Sequence, residues 1–183
     1  QRVQNLSDAF IKQGFGILMM DLLTEEETEI GKPEAGGGTP DDWASSFDSD
    51  MLSERLYDSL DWVRDLPEAE GLPIGLFGSG PGAWAAFAVA AVKPVEVCAV
   101  VASALTPGEP LHSLARVKSP TLLLAGADEG GEGSMTRTCF AALSGRKRME
   151  CVAGLGRAPG RDELRATEAV ARFASHWFME YLR

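Results

Sequence analysis

The sequence predicts an α/β fold, a mostly parallel sheet with helices on both faces, and three observations carry that prediction. Short apolar runs of strand length, such as Thr121-Leu122-Leu123-Leu124-Ala125, alternate with longer segments whose apolar residues recur at helical spacing. The strand-like runs are apolar nearly throughout, the pattern of strands covered on both sides. Between Leu76 and Trp84 a strand passes through a glycine-rich corner directly into a helix, the unit from which parallel sheets are wound. A chain of 183 residues fits one domain, so residues 1–183 are expected to form a single unit.

Taken in order, residues 2–13 place Val3, Leu6, Phe10 and Ile11 on one helical stripe, and Gly14 ends it. Phe15 to Asp21 predicts a buried strand. Residues 22–49 are acidic and contain Gly36-Gly37-Gly38 and two prolines, which predicts a long surface loop. Ser49 is expected to cap a helix carrying Leu52, Leu56, Leu60 and Val63. Leu72 to Phe77 predicts a strand and Pro81 to Val92 an alanine-rich helix. Val95 to Ala104 predicts a strand and Pro110 to Val117 a short helix. Thr121 to Ala125 predicts a strand, Gly130 to Gly133 a flexible loop, and Gly133 to Leu143 a helix. Arg148 to Val152 predicts a strand, with Arg146, Lys147 and Arg148 as a solvated basic turn. A final helix from about Arg161 to Leu182 carries Ala166, Val170, Phe173, Trp177 and Tyr181 as its stripe. In such sheets the functional crevice lies at the carboxyl ends of the strands.

Charge excludes several roles. The net charge is −10 and the pI about 4.7, a balance that repels phosphate backbones and anionic lipid and argues against nucleic-acid and membrane-surface partners. Seven acids lie between Glu25 and Asp42 against one base, Lys32, a stretch expected to be a solvated loop and open to use as a docking surface. No apolar run is long enough to span a bilayer, and no signal-peptide pattern is present. Cys98, Cys139 and Cys151 match no zinc or redox spacing. They read as small core residues of a protein in a reducing compartment, cytoplasm or organelle interior. The first residue, Gln1, is not methionine, so the chain is expected to begin after a processing event or an unseen segment, and an address carried there would not show in residues 1–183.

The segment Gly78-Ser79-Gly80-Pro81-Gly82 resembles the nucleophile elbow G-x-S-x-G of α/β hydrolases. Small residues flank the nucleophile on either side because the turn is tight, and Gly78 and Gly82 suit those places. Gly80 stands where the nucleophile belongs. Ser79 is the fallback nucleophile, but its flanks, Phe77 and Pro81, are not small. Beyond the elbow, the chain is similar to the dienelactone hydrolase family from end to end. Asp21-Leu22-Leu23-Thr24 follows the first strand as in that family. Ser119-Pro120-Thr121-Leu122-Leu123-Leu124 and Gly126-Ala127-Asp128 resemble the strand that delivers the acidic triad member, so Asp128 matches it. The family's histidine segment, G-x-x-H, here reads Gly154-Leu155-Gly156-Arg157.

The resemblance implies an α/β-hydrolase fold, with N-terminal strands of relatives absent from residues 1–183, and a site whose groups are missing. Gly80 has no hydroxyl. Pro81 occupies the position whose backbone N–H stabilises the oxyanion, and proline has no N–H. Arg157, always protonated, cannot act as a general base. Asp128 reads more simply as a turn-capping carboxylate, and a pair with Arg157 is open. His112 and His176 lie elsewhere in the chain and read as surface or packing histidines. Relatives also carry a strand between those expected at 15–21 and 72–77. Here the two either pair directly or receive a strand from a segment or partner not shown.

Weaker signals complete the reading. Gly78, Gly80 and Ala83 fit G-x-G-x-x-A, but the strand that follows ends in Val101-Ala102-Ser103-Ala104 without the acid a dinucleotide site requires. No cofactor is expected. Asp48 and Asp50 do not complete a calcium loop, and no metal is expected. Trp84 either plugs the old pocket or packs in the core. The expected function is a non-catalytic hydrolase homologue serving as a structural or interaction subunit with protein partners. The alternative is an ester or lactone hydrolase, or small-ligand binder, with a remodelled site using Ser79 or Asp128.

Overall fold

The structure, a computed structural model, describes residues 2–31, 48–105, 111–126, 131–155 and 161–182. Four strands, β1 (Ile74–Ser79), β2 (Val97–Ser103), β3 (Thr121–Gly126) and β4 (Lys147–Val152), form one sheet in the order β1-β2-β3-β4. Every pairing is parallel. Among the described residues six α-helices accompany them: α1 (Arg2–Lys12), α2 (Glu25–Gly31), α3 (Ser49–Arg64), α4 (Pro81–Val92), α5 (Gly131–Ala142) and α6 (Arg161–Tyr181). A short 3-10 helix, Leu111–Arg116, links β2 to β3.

Because side chains alternate across a strand, the apolar strands feed two separate cores. Val100, Ala102 and Leu123 face one layer, where Leu60 of α3, Trp84 and Phe87 of α4, Leu114 and Cys139 of α5 are buried. Ala99, Val101, Leu122 and Leu124 face the other, with Phe10 of α1 and Ala166, Val170, Ala174, Trp177 and Phe178 of α6. Both faces of the sheet are therefore covered. Each fully buried Leu or Val contributes about 1.5 to 3 kcal/mol of hydrophobic stabilisation.

Local chemistry sets the ends of the elements. Gly14, at φ +88°, closes α1, and its N–H donates to the Ile11 carbonyl at 2.9 Å. Asp48, not Ser49, caps α3: its carboxylate accepts from the Asp50 and Met51 N–H groups. Ser49 is the first helical residue, and its carbonyl accepts from the Ser53 hydroxyl.

Four further expectations are corrected. Residues 15–21 form no strand and are mostly exposed rather than buried, since no strand among the described residues pairs with them. Within the expected loop at 22–49, Glu25–Gly31 is a helix. Thr24 Oγ1 accepts from the Glu27 N–H while Glu27 Oε2 accepts from the Thr24 N–H, at 3.2 and 2.8 Å, a capping box. Residues 32–47 of that loop lie outside the described residues. α5 begins at Gly131, inside the expected loop at Gly130 to Gly133. Lys147 and Arg148 belong to β4 rather than to a turn, and Lys147 donates to the Phe140 and Leu143 carbonyls at the end of α5.

Candidate functional site

The carboxyl end of β1 forms the corner that the sequence singles out. β1 ends at Ser79, Gly80 turns the chain, and α4 starts at Pro81. Gly80 has φ +56° and ψ −128°, a conformation open to glycine and rare for L residues. The Gly80 N–H donates to the Ser103 carbonyl at 3.1 Å, and the Ala83 N–H to the Gly80 carbonyl at 3.0 Å. Pro81 has no N–H, which costs nothing at the first position of a helix. A phosphate cradle would need these amides free. One is spent on the end of β2, one within the turn, and one does not exist, which adds to the missing acid against a dinucleotide site.

The glycines of the corner differ in what they require. A Cβ on Gly78 would lie 2.4 Å from the Gly82 carbonyl oxygen and 2.6 Å from Ala83 Cα, so this strand position must be bare for α4 to pack against β1. A Cβ on Gly80 would meet only the Ala104 carbonyl oxygen at 3.9 Å. The corner thus has room for a side chain that it does not carry. At Gly82 a Cβ would meet nothing within 4 Å, so the expectation that Gly82 must be small for the turn is not met. Ser79 is exposed, lies in the extended strand and pairs in register with buried Ser103. The positive φ falls at Gly80, while Ser79 is not among the positive-φ residues.

Beside the corner, β2 leads into Ala104 at φ +50°, the one non-glycine residue with positive φ among the described residues. Gly80 and Ala104 therefore place two unusual backbone conformations side by side at adjacent strand ends. Alanine gives no sequence sign of such a conformation.

Asp128 and Arg157 lie outside the described residues. The last described residues before their segments come together: a Cβ on Gly126 would lie 2.8 Å from the Leu155 carbonyl oxygen. His176 is exposed on α6, as a surface histidine should be; the side chain of His112 is outside the described residues. Trp84 is 4% exposed and packs edge-to-face on Phe87 with ring centroids 5.8 Å apart, so it belongs to the core.

Other reactive groups are held elsewhere. Cys139 is buried, and burial pushes its thiol up to about 11, which keeps it protonated and inert at neutral pH. Cys98 is half-buried in β2, but Cys151 is exposed on the edge strand β4, which corrects the reading of all three as core residues. Lys93, raised in pKa by its hydrogen bond to Asp61 and by Glu96, ties α3 to the chain entering β2. Among the described residues no cluster of three His, Cys, Asp or Glu side chains is placed to hold a metal. No helix among them is long and apolar enough to cross a membrane.

With this geometry in hand, the chain can be set beside known proteins. Residues 1–147 match the sequence model of the dienelactone hydrolase family. Two proteins from strains of Mycobacterium tuberculosis, named as phosphoribosyl transferases, are each 32% identical over 184 residues. The match covers 99% of this chain and 38% of theirs, so the chain spans under two fifths of the length of these relatives. The crystal structure of a dienelactone hydrolase from Anabaena variabilis superposes with a TM-score of 0.82 at 33% identity, over 100% of this chain and 80% of its own. A cold-adapted esterase from an Arctic intertidal metagenomic library shares the fold, with a TM-score of 0.66 at 14% identity, over 100% of this chain and 76% of its own.

Proposed function

The chain belongs to the dienelactone hydrolase family, and from that premise we propose that it is a non-catalytic member serving as a structural or interaction subunit for protein partners. The observation that carries this reading is the corner Gly80-Pro81. Acyl transfer in this fold requires a nucleophile at the elbow, a base to take its proton, and N–H donors for the oxyanion. Gly80 offers no hydroxyl, although the corner has room for a side chain. Pro81 offers no N–H. Loss of one oxyanion donor alone costs about a hundredfold to a thousandfold in rate. At the position matching the family's histidine stands Arg157, which cannot accept a proton.

The mycobacterial relatives add context. In them the matching stretch is a minor part of a longer chain named for a different chemistry, which suits a domain kept for its fold and surface. The core is well kept: Leu122, Leu123 and Leu124 are each at most 1% exposed.

The rival reading is an ester or lactone hydrolase, or a small-ligand binder, working through Ser79 or Asp128. Ser79 is solvent-exposed, which favours it, but it precedes the corner and lacks the positive φ that aims an elbow nucleophile. A screen with short acyl esters and lactones separates the two. Turnover at the buffer rate is the expected result; turnover above it that disappears in Ser79→Ala ends the non-catalytic reading.

A further inference from the structure

The four strands run parallel, so the segments that lead into them meet at one end of the sheet, opposite the Gly80 corner. Charge is divided across that end. Residues 65–73, leading into β1, carry Asp65, Glu68 and Glu70 and no base. Glu96 immediately precedes β2. Residues 111–120, leading into β3, carry Arg116 and Lys118 and no acid, and Arg146 immediately precedes β4. Because the sheet order is β1-β2-β3-β4, one half of this face is acidic and the other basic.

The acidic half is also apolar. Trp62 and Val92, at the ends of α3 and α4, and Leu72 and Val95, just before β1 and β2, are exposed large apolar residues, Val95 at 90%. The bases on that half are spent locally. Arg64 donates to the Glu96 carbonyl at 2.9 Å, and Lys93, with 10% of its side chain exposed, is held by Asp61 and Glu96. On the basic half the two leading segments touch: a Cβ on Gly145 would lie 3.0 Å from the Lys118 carbonyl oxygen. Arg116 and Lys118 are exposed. Arg146 keeps 70% of its side chain exposed beside Glu180 at 4.0 Å and the Tyr181 hydroxyl at 3.2 Å.

We infer that this face docks a second copy of the chain, end to end, about a two-fold axis normal to the sheet and passing between β2 and β3. A two-fold axis builds an interface from one patch set against itself, and this axis sets each acidic half against the partner's basic half. The segment before β1 falls opposite the one before β4, and Glu96 opposite the partner's Lys118. Exposed ion pairs add little affinity but fix the orientation. The affinity comes from the apolar residues, over which the aliphatic stems of the partner's Lys118 and the partner's Arg146 can lie, with a guanidinium on the indole face of Trp62. Four strands about 4.8 Å apart between two helix layers about 10 Å thick present roughly 600 Å², the lower end of what a stable dimer buries on each side. The net charge of −10 on each copy repels at a distance, but salt at about 0.1 M screens it beyond about 10 Å and leaves the contact pairs to decide. The face is remote from the Gly80 corner, so this pairing serves a catalytic and a non-catalytic chain alike.

Sedimentation velocity tests it. The chain is expected to run as a dimer at about 100 µM, as suits a small interface of micromolar affinity. Glu68→Lys with Glu70→Lys tips the face to basic, and Lys118→Glu with Arg146→Glu tips it to acidic. Each double variant alone is expected to be a monomer at that concentration, and an equimolar mixture of the two to recover the dimer. Neither a folding defect nor association through another surface would give recovery on mixing. A wild-type chain that stays monomeric, a dimer that survives either reversal, or a mixture that stays monomeric overturns the inference. Trp62→Ser, which leaves the charges in place, should weaken the dimer at least about tenfold; unchanged affinity overturns it too.

Discussion

The corner of β1 shows how the same missing Cβ has different consequences at two glycines that flank Ser79. Gly78→Ala would drive a methyl to 2.4 Å from the Gly82 carbonyl oxygen, so α4 must shift off β1; a loss of about 3 kcal/mol in urea denaturation is expected. Gly80→Ala meets nothing closer than 3.9 Å and suffers only the left-handed backbone, about 1 to 2 kcal/mol. Equal losses at the two positions would contradict the geometry. Ser175 offers a third measurement. It is 5% exposed, and among the described residues its hydroxyl has no hydrogen-bond partner, so Ser175→Ala should leave stability unchanged or raise it by up to about 1 kcal/mol. A loss above that would reveal a partner for the hydroxyl. Gly80 and Pro81 were legible in the sequence because glycine and proline act through the backbone, whose chemistry the letters state outright. The positive φ of Ala104 was not, because alanine adopts it only when neighbours impose it. The exposure of Cys151 was hidden too, since an edge strand looks like an inner one until its neighbours are known.

At the scale of elements, α2 hangs on a small set of polar contacts. Glu27 closes the capping box with Thr24 and takes both Arg55 guanidinium nitrogens at 2.7 and 2.8 Å. The hydrogen bonds from Arg55 and from the Thr24 N–H hold its carboxyl down at about 2, against an ordinary 4.5. A depressed acid stabilises the folded form above its unfolded pKa and loses that contribution as pH falls through its folded one. The tie between α2 and α3 should therefore hold at pH 5 and fade between pH 4.5 and 2. An NMR titration of the Glu27 side chain checks this, and Arg55→Met should return the midpoint toward the ordinary value. A wild-type Glu27 that titrates with the other glutamates would refute the arrangement. The signature Thr24-x-x-Glu27 stood in the sequence, but the neighbouring acids, glycines and prolines made the whole stretch read as loop. The opposite error befell residues 15–21. Their apolar run reads as a buried strand, yet Ile17 to Met20 are exposed, because an apolar run alone fixes neither burial nor the partner that strand hydrogen bonds need.

On the scale of the whole molecule, the layered order was readable because parallel strands joined by crossover helices have few ways to pack, and the strands at 74–79, 97–103, 121–126 and 147–152 lie side by side in chain order. The site was readable only in part, since Asp128 and Arg157 are reached through resemblance and lie outside the described residues. The proposed loss of catalysis is spread over two places, the β1–α4 corner and the segment that follows β4, and this makes a prediction about repair. The double substitution Gly80→Ser and Arg157→His returns a hydroxyl, for which the corner has room, and an imidazole. It leaves Pro81 without an N–H and so leaves the oxyanion short of a donor worth about 3 to 4 kcal/mol of barrier. Turnover of short acyl esters by the double variant is expected to stay at the buffer rate. Adding Pro81→Ala restores the donor, and any gain should appear first in that triple variant. Robust turnover in the double variant would mean that the proline matters less than the backbone chemistry requires, and that the site lost its activity through Gly80 and Arg157 alone.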